Sequence, residues 1–228
     1  MAEMREVEDV VLVAGHPRSG TSLACQVTET AGVNFEKEMG EDAYNKGGYY
    51  EMEGVKEFSS KITREGMNKE NTKKLNQVAK RLEKIESPRG IKLVHLPAVY
   101  YFNQIFKNPR MVLIYRDPRE VKSSLFRRGF SSFPIPWGKN NNALLSLHQN
   151  YENSILISYK SLLKKKKSVK SKFSELDLDI DFSPVKSGWK TQETPEMGLS
   201  PKEKEVYSIL RELESRGEEA EDPDSLEL

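Results

Sequence analysis

Cysteine is almost absent. Cys25 is the only one in 228 residues, which excludes an intrachain disulfide and a thiolate metal cluster. Long apolar runs are missing too: no stretch approaches the ~20 residues that a membrane-spanning helix needs. The opening "MAEMREVEDV" has the wrong charges for a signal peptide. Neither sign of charge dominates, with 36 Lys and Arg against 35 Asp and Glu and a formal net charge of +1. That balance gives no global pull toward nucleic acid or acidic membranes, so any anion site has to be local. The expectation is a cytoplasmic, soluble chain with no nucleic-acid partner and no membrane span.

What is present suffices for one globular domain with appendages, at roughly 150 residues per domain. Apolar and aromatic residues make up 36%, enough for a core. "DVVLVAG" (9–15) reads as a buried strand, and Leu23, Ala24, Val27 and Ala31 then share a helix face that Gly32 closes. Residues 34–50 are polar and glycine-rich and read as a surface loop. Helical spacing returns in Val55, Phe58 and Ile62, and again in Leu75, Val78, Leu82 and Ile85. Further strands are expected at 90–97, 111–118 and 154–159. Between the last two, Asp117-Pro118-Arg119-Glu120 opens a helix, with Asp as N-cap and Glu as its reciprocal cap. Strands interleaved with helices imply an α/β fold, three layers around a mainly parallel sheet. "KKKK" (164–167) reads as a solvated turn of helix. Ser200 to Glu203 has the form of a capping box, ahead of an apolar face of Val206, Ile209, Leu210 and Leu213.

The chemistry starts at "VAGHPRSGTSL" (13–23). It satisfies G-x-x-x-x-G but has Thr21-Ser22 where a nucleotide triphosphate loop has Lys-Ser/Thr. Gly15 and Gly20 let the backbone bend so that successive N–H groups face one anion, beside the positive end of the following helix. The only cation in the loop is Arg18, which suits one cradled phosphate with a transferable group beside it. A second cluster, "YRDPREVKSSLFRR", puts Arg116 at a strand's carboxyl end and Ser124 eight residues later. In a parallel sheet those ends form the ligand crevice, so Arg116 should face the cleft of the loop.

Together the two clusters resemble the sulfotransferase family that uses 3′-phosphoadenosine 5′-phosphosulfate, with bacterial and carbohydrate-type members most similar. Pro17, Arg18, Ser19, Gly20, Thr21 and Ser22 match its 5′-phosphosulfate loop, P-[KR]-S-G-T-[ST]. Arg116 and Ser124 match its 3′-phosphate motif. Softer matches are "NKGGYYE" (45–51), "KLVHLP" (92–97, its lysine displaced by one position), "ISYKSLL" (157–163) and "SGWK" (187–190). The resemblance implies transfer of a sulfuryl group to an acceptor hydroxyl or amine of a small molecule or carbohydrate, with that nucleotide as co-substrate and no metal. It makes Arg18 the stabiliser of leaving-group charge. Thr21, Ser22 and the N–H groups of 19–22 would hold the 5′-phosphate. Arg116, Ser124 and Lys190 would bind elsewhere on the nucleotide, the first two at its 3′-phosphate. His95 and Glu51 are rival general bases, Lys92 is a further charge partner if it points inward, and His16 shapes the turn. Tyr49, Tyr50, Phe133 and Trp137 are candidates for an acceptor pocket.

The expected division is a sulfotransferase-like P-loop domain over 1–195, a C-terminal helix over 196–217 and a disordered acidic tail over 218–228. Two competing readings stand beside this one. A P-loop small-molecule kinase would need the absent lysine and a magnesium ligand, for which Asp117 or the run "LDLDID" (176–181) is a weak candidate. A non-catalytic nucleotide-binding relative would keep the donor cleft without the chemistry.

Overall fold

The structure is a computed structural model and describes residues 4–36, 48, 50–133, 135–186 and 196–219. Its centre is β1 (Val10–Gly15), buried at every position, as a strand with partners on both edges and helices on both faces has to be. From there the chain runs through α1 (Thr21–Glu29), β2 (Asn34–Phe35), α2 (Val55–Glu65), α3 (Lys69–Leu82), β3 (Arg89–Leu93) and α4 (Val99–Phe102). It continues as β4 (Arg110–Tyr115), α5 (Pro118–Phe126), α6 (Trp137–Asn150), β5 (Ser154–Ser158), α7 (Tyr159–Leu163), α8 (Lys167–Ser174) and α9 (Pro201–Glu219).

The five strands lie in the order β2-β3-β1-β4-β5, and every pairing is parallel. After β1 the chain builds one side of the sheet, then crosses to the other. The order therefore reverses at β1, which puts the ligand crevice at its carboxyl end. Alternation along the strands feeds two cores. Leu12, Ala14, Leu113 and Tyr115 pack with α2, α3, α5, α6 and α9. Val11, Val13, Val112 and Ile114 pack with α1 and α8 on the opposite face. The three-layer α/β expectation is met.

Local chemistry sets the boundaries, and in several places they differ from the sequence expectation. The strand expected over 90–97 is β3 and stops at Leu93, because residues 96–98 turn into a short 3-10 helix with His95 at its cap. Two residues of the presumed 34–50 loop pair as β2, and Tyr50 is buried; most of the rest lies outside the described residues. Asp117 does cap α5, accepting from the Arg119 N–H at 2.9 Å. The Glu120 carboxylate also takes the Arg116 guanidinium, four residues back in the chain, at 2.7 Å. The Ser200–Glu203 box does form, with Ser200 N donating to Glu203 Oε2 at 2.8 Å and Glu203 N to Ser200 Oγ at 3.3 Å. Lys164 to Lys166 link α7 to α8 rather than forming a helical turn. In the acidic run, Leu176, Leu178 and Ile180 pack into the second core while the three aspartates face outward.

Candidate functional site

The loop after β1 is held by packing from below. A Cβ on Gly15 would lie 2.4 Å from the Ile114 carbonyl oxygen, so this glycine permits close approach of β4 rather than a bend. The bends come at Arg18, with φ 71°, and Gly20, with φ 93°. A Cβ on Gly20 would meet the Tyr159 ring at 2.3 Å. Buried His16 has one ring nitrogen 2.7 Å from the Pro17 carbonyl and the other 3.0 Å from the Ile135 carbonyl. Its ring also meets Phe133 edge-on, so it ties the loop to Phe133 and Ile135. Burial pushes this imidazole below its ordinary pKa against the pull of the two carbonyls.

The cradle differs from expectation in one donor. Ser19 N–H is used within the turn, donating to the His16 carbonyl at 3.0 Å. The donors for an anion are thus those of the first turn of α1, which have no intrahelical acceptor. Gly20 caps α1 without a side-chain bond, and no acidic residue sits in that turn. Ser19 Oγ is buried with no hydrogen-bond partner. An orphaned buried hydroxyl beside a helix N-terminus suits a phosphate, because each oxygen of the ion can accept.

The two motifs, about a hundred residues apart in sequence, meet in space. Arg18 Nε donates to Ser124 Oγ at 3.1 Å, and Arg116 Nη1 donates to the Arg18 carbonyl at 3.3 Å. Arg116 also lies over the Tyr159 ring at 4.2 Å. Tyr159, which starts α7, therefore supports both Gly20 and Arg116. Burial, the largest influence, raises its phenol pKa, against the lowering effect of Arg116 and Arg18. Beside Arg116 opens a cleft of about 410 Å³ that places six cations, among them Arg119, Lys160, Lys164 and Arg211, against three carboxylates.

On the other side of β1, Glu51, Lys92 and His95 line one small pocket. The Lys92 side chain is only 2% exposed and ion-pairs with Glu51 at 3.1 Å. His95 is half-buried, with Nε2 lacking a hydrogen-bond partner. Burial, helped by the charge of Lys139, holds its pKa below the ordinary histidine value. Buried Asn140 of α6 clamps the turn around it: Oδ1 accepts from Leu96 N at 3.0 Å and Nδ2 donates to the Val94 carbonyl at 3.2 Å. Asn140 did not stand out in the sequence, since one asparagine of the three in "GKNNNALL" carries no periodic signal. Tyr159 was singled out only as part of the soft match "ISYKSLL".

The structure gathers Pro17, Arg18, Ser19, Gly20, Thr21, Ser22, Arg116 and Ser124 around the carboxyl ends of β1 and β4, with Glu51 and His95 in the small pocket at the end of β3. Lys190 and Tyr49 lie outside the described residues. Two of the aromatics named for an acceptor pocket are core residues instead. Trp137 is 1% exposed and packs on Tyr207. Tyr50 is buried and donates its hydroxyl to Glu29 at 2.6 Å. Among the described residues no group of three or more His, Cys, Asp and Glu could hold a metal, and no helix is long and apolar enough to cross a membrane.

Comparison with known proteins bears on the fold and on the family. No curated protein matches the sequence. The sulfotransferase domain of the Synechococcus PCC 7002 olefin synthase superposes with a TM-score of 0.57 at 14% identity, covering 92% of this chain and 97% of that one. The sulfotransferase domain from the curacin biosynthetic pathway gives 0.54 at 13% identity, covering 90% and 98%. At such identities the likeness shows a shared fold alone. The family itself comes from the sequence: the sulfotransferase domain model matches residues 8–177, from the strand before the phosphate loop through the arginine–serine motif and α8, and the chain belongs to that family.

Proposed function

We propose that the chain transfers a sulfuryl group from 3′-phosphoadenosine 5′-phosphosulfate to a hydroxyl or amine of a small-molecule or carbohydrate acceptor. The observation that carries this reading is the meeting of Arg18, Arg116 and Ser124, because a donor with phosphates at both ends of one ribose needs two anion sites side by side. The first turn of α1, Thr21 and Ser22 hold the 5′-phosphate. Arg116 and Ser124 hold the 3′-phosphate, in the positive field of the cleft beyond Arg116.

During transfer the acceptor oxygen or nitrogen bonds to sulfur while the bond from sulfur to the bridging oxygen breaks. Negative charge gathers on that oxygen, and 3′,5′-adenosine bisphosphate departs with it. Arg18 stabilises this charge as a fixed cation; a guanidinium stays protonated and donates no proton. The acceptor's proton goes to His95. Two features support His95 over Glu51: its Nε2 has no partner and its lowered pKa keeps the ring neutral near pH 7. Glu51 is tied to Lys92.

Thermal shift tests the reading, since a ligand that binds the native state raises its apparent stability by mass action. Stabilisation by 3′,5′-adenosine bisphosphate without magnesium is expected, and Arg116→Ala should weaken it far more than it weakens binding of the analogue lacking the 3′-phosphate. Stabilisation only by ATP with magnesium would sink the proposal in favour of a kinase.

A further inference from the structure

In the reaction above, Arg18 meets the departing oxygen and His95 the incoming nucleophile, so the two have to stand at opposite ends of the transferred group. They sit on different loops, one after β1 and one after β3. The start of α6 touches both. The Ile135 carbonyl lies 3.0 Å from a ring nitrogen of His16, two residues before Arg18. In the first turn of the helix, Asn140 Oδ1 accepts from Leu96 N at 3.0 Å and Nδ2 donates to the Val94 carbonyl at 3.2 Å.

Val94 and Leu96 flank His95, so one side-chain amide holds the backbone on both sides of the base. The role needs a donor and an acceptor on one short side chain, which an asparagine has and an aspartate or a leucine lacks. Asn140 is fully buried, so water does not replace either bond cheaply. The ring itself is less restrained, because His95 Nε2 has no hydrogen-bond partner. Its place is set by the backbone that carries it. Burial, then the charge of Lys139 beside Asn140, keeps the imidazole below its ordinary pKa; Glu51, Lys56 and Lys92 share its pocket.

We propose that Asn140 is a positioning residue for the reaction: it holds His95 through the backbone of the 94–96 turn, and the start of α6 thereby registers the base against the loop that carries Arg18. The inference rests on the functional reading above. Near-attack geometry depends on the reacting groups being held to within about 1 Å.

NMR titration of the histidine rings in the full chain tests it. There are three histidines, and the spectrum of His95→Ala assigns the signal of His95. Asn140→Leu removes both bonds at similar size. The freed turn should admit water to the ring, so the pKa of His95 rises toward the ordinary histidine value while His16 and His148 keep theirs. The Kd for 3′,5′-adenosine bisphosphate, measured by isothermal titration calorimetry, should stay within about twofold, because the donor residues lie on other elements. Asn141→Leu makes the same exchange one residue on, where the amide donates to the Trp137 carbonyl of its own helix at 3.0 Å, and should leave His95 unmoved. Asn140→Ser leaves room for a water that spares the fold, and should still shift His95 if Asn140→Leu does not fold. A His95 titration unchanged in the Asn140 variants, or moved equally by Asn141→Leu, overturns the proposal. So does a shift that comes with lost bisphosphate binding, since the whole site is then disturbed. A wild type that does not bind the bisphosphate overturns the functional reading, and the titration still decides whether Asn140 holds His95.

Discussion

Replacing Gly20 by alanine drives a methyl group into the ring of Tyr159. The added Cβ would lie 2.3 Å from Cδ2, 2.9 Å from Cε2 and 3.3 Å from Cγ of that ring, at a φ of +93°. Two costs combine. The left-handed conformation costs alanine ~1–2 kcal/mol relative to glycine. Relieving the overlap moves a ring packed in the second core, an overpacking cost of ~1–3 kcal/mol. Gly32→Ala separates the two, because Gly32 has φ +83° and nothing within 4 Å of its would-be Cβ. At ~2–4 °C per kcal/mol for a chain of this size, Gly32→Ala should lower Tm by roughly 2–8 °C and Gly20→Ala by roughly 4–20 °C. The consequence reaches beyond stability. Tyr159 lies under Arg116 at 4.2 Å, and Arg116 donates to the Arg18 carbonyl, so a displaced ring shifts the arginine proposed for the 3′-phosphate as well. Calorimetric melts with bisphosphate titrations of both variants check this. Equal Tm losses in the two, with unchanged nucleotide affinity for Gly20→Ala, would refute the contact chain from Gly20 through Tyr159 to Arg116.

Three other perturbations separate the roles. Arg18→Ala should lower kcat on the order of 100-fold or more while bisphosphate affinity falls much less, as expected of a group that meets charge mainly in the transition state; equal losses in both would contradict its assignment to the leaving group. With the His95 pKa held below its ordinary ~6.5, the neutral base persists down to mildly acidic pH. The acid limb of kcat/KM should therefore lie below that value and vanish in His95→Ala; a limb that survives the substitution assigns the base to another group. Glu214 of α9 is buried, accepting from the Tyr115 hydroxyl at 2.6 Å and from Ser158 N at 2.8 Å. Glu214→Ala strands both donors and should cost ~2–4 kcal/mol, read as a lower urea midpoint; an unchanged midpoint would mean that α9 contributes nothing to global stability.

Much of the fold was legible because short-range physics decides it. β1, β3, β4 and β5 announced themselves as apolar runs, α3 by its spacing, and α5 and α9 by their caps. The two-residue β2 and the asparagine-rich α6 were not legible, since neither has a periodic signal and both exist through contacts with the rest of the molecule. The same division runs through the site. The loop residues 17–22 and the Arg116–Ser124 spacing are local patterns, and they carry the family assignment. That Arg18 reaches Ser124 follows only from the parallel pairing of β1 with β4, which brings two carboxyl ends together.

The sequence by itself therefore determined a phosphate loop without its usual lysine, because glycine positions and residue types are written there in order. It also suggested Gly15 as a bend, and a tertiary contact decided otherwise: the close approach of β4. Only the tertiary structure decided which side chains stand behind the first turn of α1. Lys92 and Ser22 are 70 residues apart, and nothing along the chain relates them. The β1–β3 register does, by setting the buried ammonium behind the first turn of α1.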